Sequence, residues 1–190
     1  MKIGLFFGSF NPIHVGHLII ANLVHECTDI NEVWFVVSPQ NPLKKNKNLL
    51  HEFDRMDMVQ ASIEDDFQFR TCDVEFNMPR PSYTIDTLTL LYEKHPNHEF
   101  SLIIGSDNLA IFPKWKNYEK ILEYFKLIVY PRPNGEKSAL TDHPNVTMIE
   151  APELDISATL IRQLIRDGKS IRYLVPEGAI RRIEAKKLYQ

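Results

Sequence analysis

Gly8-Ser9-Phe10-Asn11-Pro12-Ile13-His14-Val15-Gly16-His17 joins two apolar runs, and the reading of that junction decides the fold. The run before it, Lys2-Ile3-Gly4-Leu5-Phe6-Phe7, reads as a buried strand. The run after it, Leu18-Ile19-Ile20-Ala21-Asn22-Leu23-Val24, reads as a helix. Gly8 lets backbone approach a ligand without a Cβ in the way, and Pro12 restricts the turn. On the first turn of a helix His14 and His17 share one face, beside free N–H groups and the positive end of the dipole. That combination suits an anion such as a polyphosphate. Two plainer readings compete: an ordinary strand–helix turn with surface histidines, or half of a metal site. The second is the weaker, since helical zinc pairs sit at i, i+4 and need further ligands.

Strand-like and helix-like stretches alternate along the rest of the chain. Glu32–Ser38 is β-branched and aromatic, closed by Pro39, and Gln40–Asn48 is a polar, lysine-bearing loop. A helix is expected over Phe53–Glu64 with Met56, Val59 and Ile63 inward, then a strand over Phe67–Cys72. Thr84–His95 places Ile85, Leu88, Leu91 and Tyr92 on one helical face. Strands follow at Glu99–Ile104, Phe125–Tyr130 and Val146–Ile149, with short helices at Asn108–Phe112 and Tyr118–Glu123. Ser157–Asp167 reads as a helix with Leu160, Ile161, Leu164 and Ile165 inward, stopped by Gly168. Pro176 opens a last helix burying Ala179, Ile180 and Ile183. The pattern predicts an α/β fold: a Rossmann-like, doubly wound, mostly parallel sheet in a single domain over 1–190, with a small C-terminal helical part. Ligands of such sheets gather at the carboxyl ends of the strands, near the topological switch point. Gly8–His17 and Gly105–Asn108 both follow expected strand ends, so one crevice is expected to hold both.

A chain of 190 residues is long enough for one proper core, and its net charge of −3 argues against a general nucleic-acid binder. The excess of Lys and Arg after Leu160 reads as a solvated helical face. Cys27 and Cys72 show no pairing pattern and read as reduced, packed thiols. Neither a membrane-spanning run nor a signal peptide is visible, so a cytoplasmic protein is expected. Oligomeric state is not legible.

Asp155-Ile156-Ser157-Ala158-Thr159-Leu160-Ile161-Arg162 is the second chemical stretch. Ser157 is a good N-cap, and Thr159 and Arg162 fall where a hydroxyl and a guanidinium converge with backbone amides on phosphate oxygens. Taken alone it is equally a capped amphipathic helix. Trp115 alone reads as packing, Asp107 as a helix cap, and Tyr83-Thr84 as the start of a helix without a ligand.

The order of these stretches carries a resemblance. Gly8–His17 is similar to the Gly-x-Phe-x-Pro-x-His-x-Gly-His signature of the nucleotidyltransferase superfamily, with Asn11 where the adenylyltransferase branch usually has Asp. Asp155–Arg162 resembles the Ile-Ser-x-Thr-x-Ile-Arg motif, with Ala158 where many relatives carry Ser. Pro81-Ser82-Tyr83-Thr84-Ile85-Asp86-Thr87-Leu88, Gly105-Ser106-Asp107-Asn108 with Trp115, and Leu174-Val175-Pro176 resemble three further blocks of the bacterial nicotinate-nucleotide adenylyltransferases. Asn41-Pro42-Leu43-Lys44 departs from the usual Pro-Pro-His-Lys. The resemblance implies transfer of AMP from ATP to nicotinate mononucleotide, yielding the deamido dinucleotide and pyrophosphate. It implies His14, His17 and Arg162 as catalytic residues. ATP would meet Gly8, Ser9, Phe10, Gly105, Asp107, Ser157 and Thr159 as well, and the pyridine nucleotide Lys44, Tyr83, Thr84, Asp107 and Trp115. Mg²⁺ is expected to ride on the ATP phosphates, with no protein metal site. The expected partners are these small molecules, not nucleic acid or membrane. Transferases acting on nicotinamide mononucleotide, phosphopantetheine or a choline phosphate are the alternatives. A class I aminoacyl-tRNA synthetase would need a Lys-Met-Ser-Lys-Ser loop, which the chain lacks. A non-catalytic nucleotide-binding module, such as an electron-carrier subunit, would need no paired histidines.

Overall fold

Six parallel strands form the sheet in a computed structural model that describes residues 1–40, 49–133 and 138–190. They are β1 (Lys2–Gly8), β2 (Glu32–Val37), β3 (Phe69–Cys72), β4 (Glu99–Gly105), β5 (Lys126–Tyr130) and β6 (Val146–Met148), in the spatial order β3-β2-β1-β4-β5-β6. Helices α1 (Val15–Cys27), α2 (Glu52–Ser62), α3 (Thr84–Lys94), α4 (Ser106–Ile111), α5 (Tyr118–Tyr124), α6 (Ala158–Arg166) and α7 (Glu177–Lys186) connect or follow them. The two-residue period of a strand sends neighbours to opposite faces. Thus Phe6 joins a core with Phe35, Ile103, α1, α2, α6 and α7, while Leu5 joins a second core with Val36, Leu102, α3, α4 and α5. Both faces of the sheet are covered at its centre, which is why the four inner strands, β1, β2, β4 and β5, are near-continuous apolar runs.

Strand order reverses between β1 and β4, whose registers pair Phe6 with Ile103. The crevice above their carboxyl ends is the ligand position such sheets offer. At the other end of the chain α7 packs on α2, and Gly178 permits it: a Cβ there would overlap the Ala61 carbonyl oxygen. Arg182 pairs with Asp57 at 3.0 Å, and Lys186 bridges Asp54 and Asp57 at 2.9 Å. Two of the basic residues after Leu160, Arg182 and Lys186, thus pair at the surface with acids of α2.

Several expectations about individual residues need correction. Phe67 is 94% exposed and precedes β3, Tyr92 and Leu160 face solvent, and Met58 takes the inward place expected of Met56. A helical stripe marks the buried direction but not its width, so its flanking residues are the uncertain ones. Cys72 is buried, but Cys27, the last residue of α1, is exposed. Among the described residues no helix is long and apolar enough to cross a membrane.

Candidate active site

The loop after β1 is built around a close approach. Phe10 takes a positive φ of 43° and folds its ring back over Gly8, where a Cβ would lie 2.7 Å from that ring. The ring is buried against Phe6, Phe35 and His17. A bulky residue in this backbone region is strained, and such strain persists where the surroundings over-determine it.

His14 is the N-cap of α1 rather than a residue of its first turn, with φ −143° and ψ 167°. His17, three positions on, still meets it: the rings stack with centroids 3.7 Å apart and planes 28° off parallel. The backbone N–H of His14 donates to His17 Nδ1 at 3.1 Å, so a neutral His17 carries its proton on Nε2. The expectation of free N–H groups at this helix end is corrected. Val15 N donates to Leu174 O at 2.9 Å and His17 N to His14 O at 2.9 Å. Leu174-Val175-Pro176 thus closes the start of α1, and the imidazoles, more than α1 amides, face the cleft. Burial, reinforced by the Arg132 guanidinium, lowers His14 to about 4. Burial first, then His14 and Arg132, hold His17 well below the usual histidine range. Both rings are neutral near pH 7.

Arg162 projects from α6 into the same region. It is buried, its Nη1 donates to Asn11 O at 2.7 Å, and its Nη2 donates to Thr159 Oγ1 at 3.2 Å. Among the described residues its Nε has no partner. Ser157 is the N-cap expected of it, accepting from Leu160 N at 3.2 Å. Arg132, in the loop after β5, is tied by its own N–H to Ser106 Oγ at 3.0 Å, and its guanidinium lies 5.6 Å from the centre of the Tyr130 ring.

On the opposite wall Tyr83 is the N-cap of α3 and Thr84 its first residue. Tyr83 O accepts from Asp86 N and Thr87 N; among the described residues none accepts from the N–H of Thr84 or Ile85. Lys116 lies 4.7 Å from the centre of the Tyr83 ring and bonds Asp86 Oδ2 at 2.8 Å. Glu75 is buried beside them, with Thr87 Oγ1 donating to Oε1 at 2.8 Å. Burial raises its carboxyl above the usual range, although hydrogen bonds from Thr87, Ser38 and Ser82 oppose that. Trp115 packs on Phe112, as its plainer reading has it, and still lines the cleft with a buried Nε1 that lacks a partner among the described residues. Asp107 does not cap α4; the cap is Gly105, and the Asp107 side chain lines the cleft.

One cleft of about 600 Å³ collects these groups, the size of a small-molecule site. Gly8, Ser9, Phe10, His14 and His17 line it from β1 and α1, Gly105 and Asp107 from β4 and α4. Ser157, Thr159 and Arg162 come from α6, and Tyr83, Thr84 and Trp115 from the opposite wall. Lys44 lies outside the described residues. Sequence reasoning missed Arg132, Lys116 and Glu75, which line the same cleft. Arg132 had one usable signal, its place just past the carboxyl end of a strand.

The chain is similar to known proteins along its whole length. Residues 5–164 match the cytidylyltransferase-like family. A protein of Cytophaga hutchinsonii named probable nicotinate-nucleotide adenylyltransferase is 59% identical, covering 100% of this chain and 98% of its own length. A protein of the same name from Flavobacterium johnsoniae is 49% identical, covering 100% of both chains. In fold, the chain is similar to Plasmodium falciparum nicotinic acid mononucleotide adenylyltransferase complexed with NaAD. The TM-score is 0.83 at 23% identity, over 99% of this chain and 97% of that one.

Proposed function

We infer that this chain, which belongs to the cytidylyltransferase-like proteins and among them to the nicotinate-nucleotide adenylyltransferases, transfers the adenylyl group of ATP to nicotinate mononucleotide. The observation that supports this best is the stacked His14–His17 pair in one cleft with Arg132 and Arg162, above the strand-order reversal. A phosphate-monoester oxygen of the mononucleotide attacks the α-phosphorus of ATP. That bond forms as the bond from the α-phosphorus to the α,β-bridging oxygen breaks, and pyrophosphate leaves. The attacking phosphate is already anionic near pH 7, so no protein nucleophile or general base is required. Catalysis rests on alignment and on stabilising the charge that moves to the bridging oxygen.

His14 and His17, neutral near pH 7, act as N–H donors to phosphate oxygens, and His17 does so through Nε2. Arg132 and Arg162 supply the positive charge that the histidines lack. Arg162 faces the β- and γ-phosphates with Ser157 and Thr159 beside it, while Gly8, Ser9, Phe10 and Gly105 let the nucleotide approach the backbone. The nucleotide binds as its Mg²⁺ complex, the metal arriving with the substrate. The pyridine nucleotide lies against Tyr83, Thr84, Asp107 and Trp115. Its ring carboxylate meets the N–H groups of Thr84 and Ile85 at the positive end of α3, near the Lys116 ammonium.

The test is to incubate the protein with MgATP and nicotinate mononucleotide, then quantify pyrophosphate and identify the dinucleotide by mass. Equimolar pyrophosphate and nicotinate adenine dinucleotide are expected. Turnover with phosphopantetheine in place of the pyridine nucleotide would overturn the substrate assignment.

A further inference from the structure

Asn11, the second residue after Ser9 in the loop that follows β1, is held, among the described residues, by Tyr189, Leu50 and Arg162, all remote from it in the chain. It is 2% exposed. Its Oδ1 accepts the hydroxyl of Tyr189 at 2.9 Å and the N–H of Leu50 at 3.3 Å, and its carbonyl accepts Arg162 Nη1 at 2.7 Å. Because Leu50 N can only donate, the atom facing it is the amide oxygen, so Tyr189 is the donor in its own contact. We propose that Tyr189 is a positioning residue for the ATP site: its hydroxyl fixes Asn11, and through the Asn11 carbonyl the direction in which Arg162 faces the cleft. This rests on the reading that Arg162 meets the triphosphate.

The path that brings Tyr189 there is built into the fold. α7 ends with Lys187 at a positive φ of 51°, Leu188 N donating back to Ile183 O at 3.0 Å, and Tyr189 again at positive φ, 66°. This is a helix-ending reversal that normally favours glycine, here made by two large side chains. It holds because α7 is fastened to α2 at Gly178 and through the Arg182 and Lys186 ion pairs. The same α2 carries Arg55, wholly buried, whose guanidinium bonds the carbonyls of Ser9 at 2.6 Å, Ser38 at 2.8 Å and Leu50 at 2.9 Å. The turn from Ser9 to Asn11 is therefore backed by Arg55 on one side and Tyr189 on the other. A phenylalanine at 189 would keep the apolar contact of the ring with the core and lose only the hydroxyl, so the hydroxyl is the group to test.

Tyr189→Phe, Arg162→Lys and the double variant are to be assayed well below their melting temperatures, with each substrate varied in turn. Tyr189→Phe is expected to raise KM for ATP about fivefold and to leave KM for nicotinate mononucleotide within about twofold, the scale of one lost hydrogen bond transmitted to a charged group. In the Arg162→Lys background the same change adds less than about twofold. A purely structural hydroxyl would shift the melting temperature and neither KM. If Arg162→Lys impairs ATP use and Tyr189→Phe does not, the positioning role is wrong and the ATP reading stands. If Tyr189→Phe raises both KM values alike, or keeps its full effect beside Arg162→Lys, the route through Asn11 is wrong. If Arg162→Lys leaves ATP use unchanged, the placement of the triphosphate is wrong, and the positioning role falls with it.

Discussion

His17 Nδ1 accepts the backbone N–H of His14 at 3.1 Å while the two imidazoles stack 3.7 Å apart. One local bond thus sets the tautomer of one ring, its orientation, and its distance from the other. It leaves His17 with a donor at Nε2 and no need of a positive charge to use it.

Replacing His17 by Ala removes that donor and the acceptor of the His14 N–H together. The turnover number is expected to fall by about 10²-fold or more, the scale of a lost transition-state donor, with the circular dichroism spectrum retained. Steady-state kinetics on the purified variant decide it. Activity within a few-fold of wild type would remove His17 from the reaction.

The buried, neutral state of His14 makes stability depend on pH. Its folded value of about 4 lies below the ordinary 6.5, so the unfolded chain takes the proton first as the solution is acidified. The contribution is intact above about pH 6.5 and lost progressively down to about pH 4, roughly 3 kcal/mol in all. Urea unfolding at pH 7 and pH 5 should show wild type losing about 2 kcal/mol more than His14→Gln over that interval. Glu75, whose raised value works in the opposite direction, and His17, lowered chiefly by its own burial, are present in both proteins, so the difference reports His14. Equal losses would show that His14 is not held neutral by burial.

Gly178 faces two opposed effects. Alanine is the better helix former by about 1 kcal/mol, yet its Cβ would overlap the Ala61 carbonyl oxygen across the α2–α7 contact. Backbone cannot yield as a side-chain tip can, so overpacking decides, and Gly178→Ala should lose about 2 kcal/mol. Denaturant unfolding measures it; a variant as stable as wild type would mean that α7 can move off α2 freely.

What the chain disclosed in advance follows from how local each feature is. The strand–turn–helix at Gly8–His17, the cap at Ser157 and the two faces of β1 are written in consecutive residues, and periodicity finds them. Arg55, Arg132 and Tyr189 belong to no such consecutive pattern. Each matters because of what other segments bring to it: carbonyls of Ser9 and Ser38, a hydroxyl of Ser106, the amide of Asn11. The first-turn donors of α1 were misjudged for the same reason, since Leu174, far along the chain, occupies Val15 N. Tertiary partners of this kind leave no period in the sequence.

The most direct test compares nicotinate mononucleotide with nicotinamide mononucleotide in one enzyme preparation, each with saturating MgATP, reading kcat/KM from pyrophosphate release. The carboxylate can accept from the Thr84 and Ile85 N–H groups at both oxygens, whereas the amide sets a donor against donors. Each unpaired buried group costs about 1–3 kcal/mol, and polar sites discriminate strongly on that basis. A preference for the acid of at least roughly 100-fold is expected; equal efficiency, or a preference for the amide, would contradict a site that reads the carboxylate.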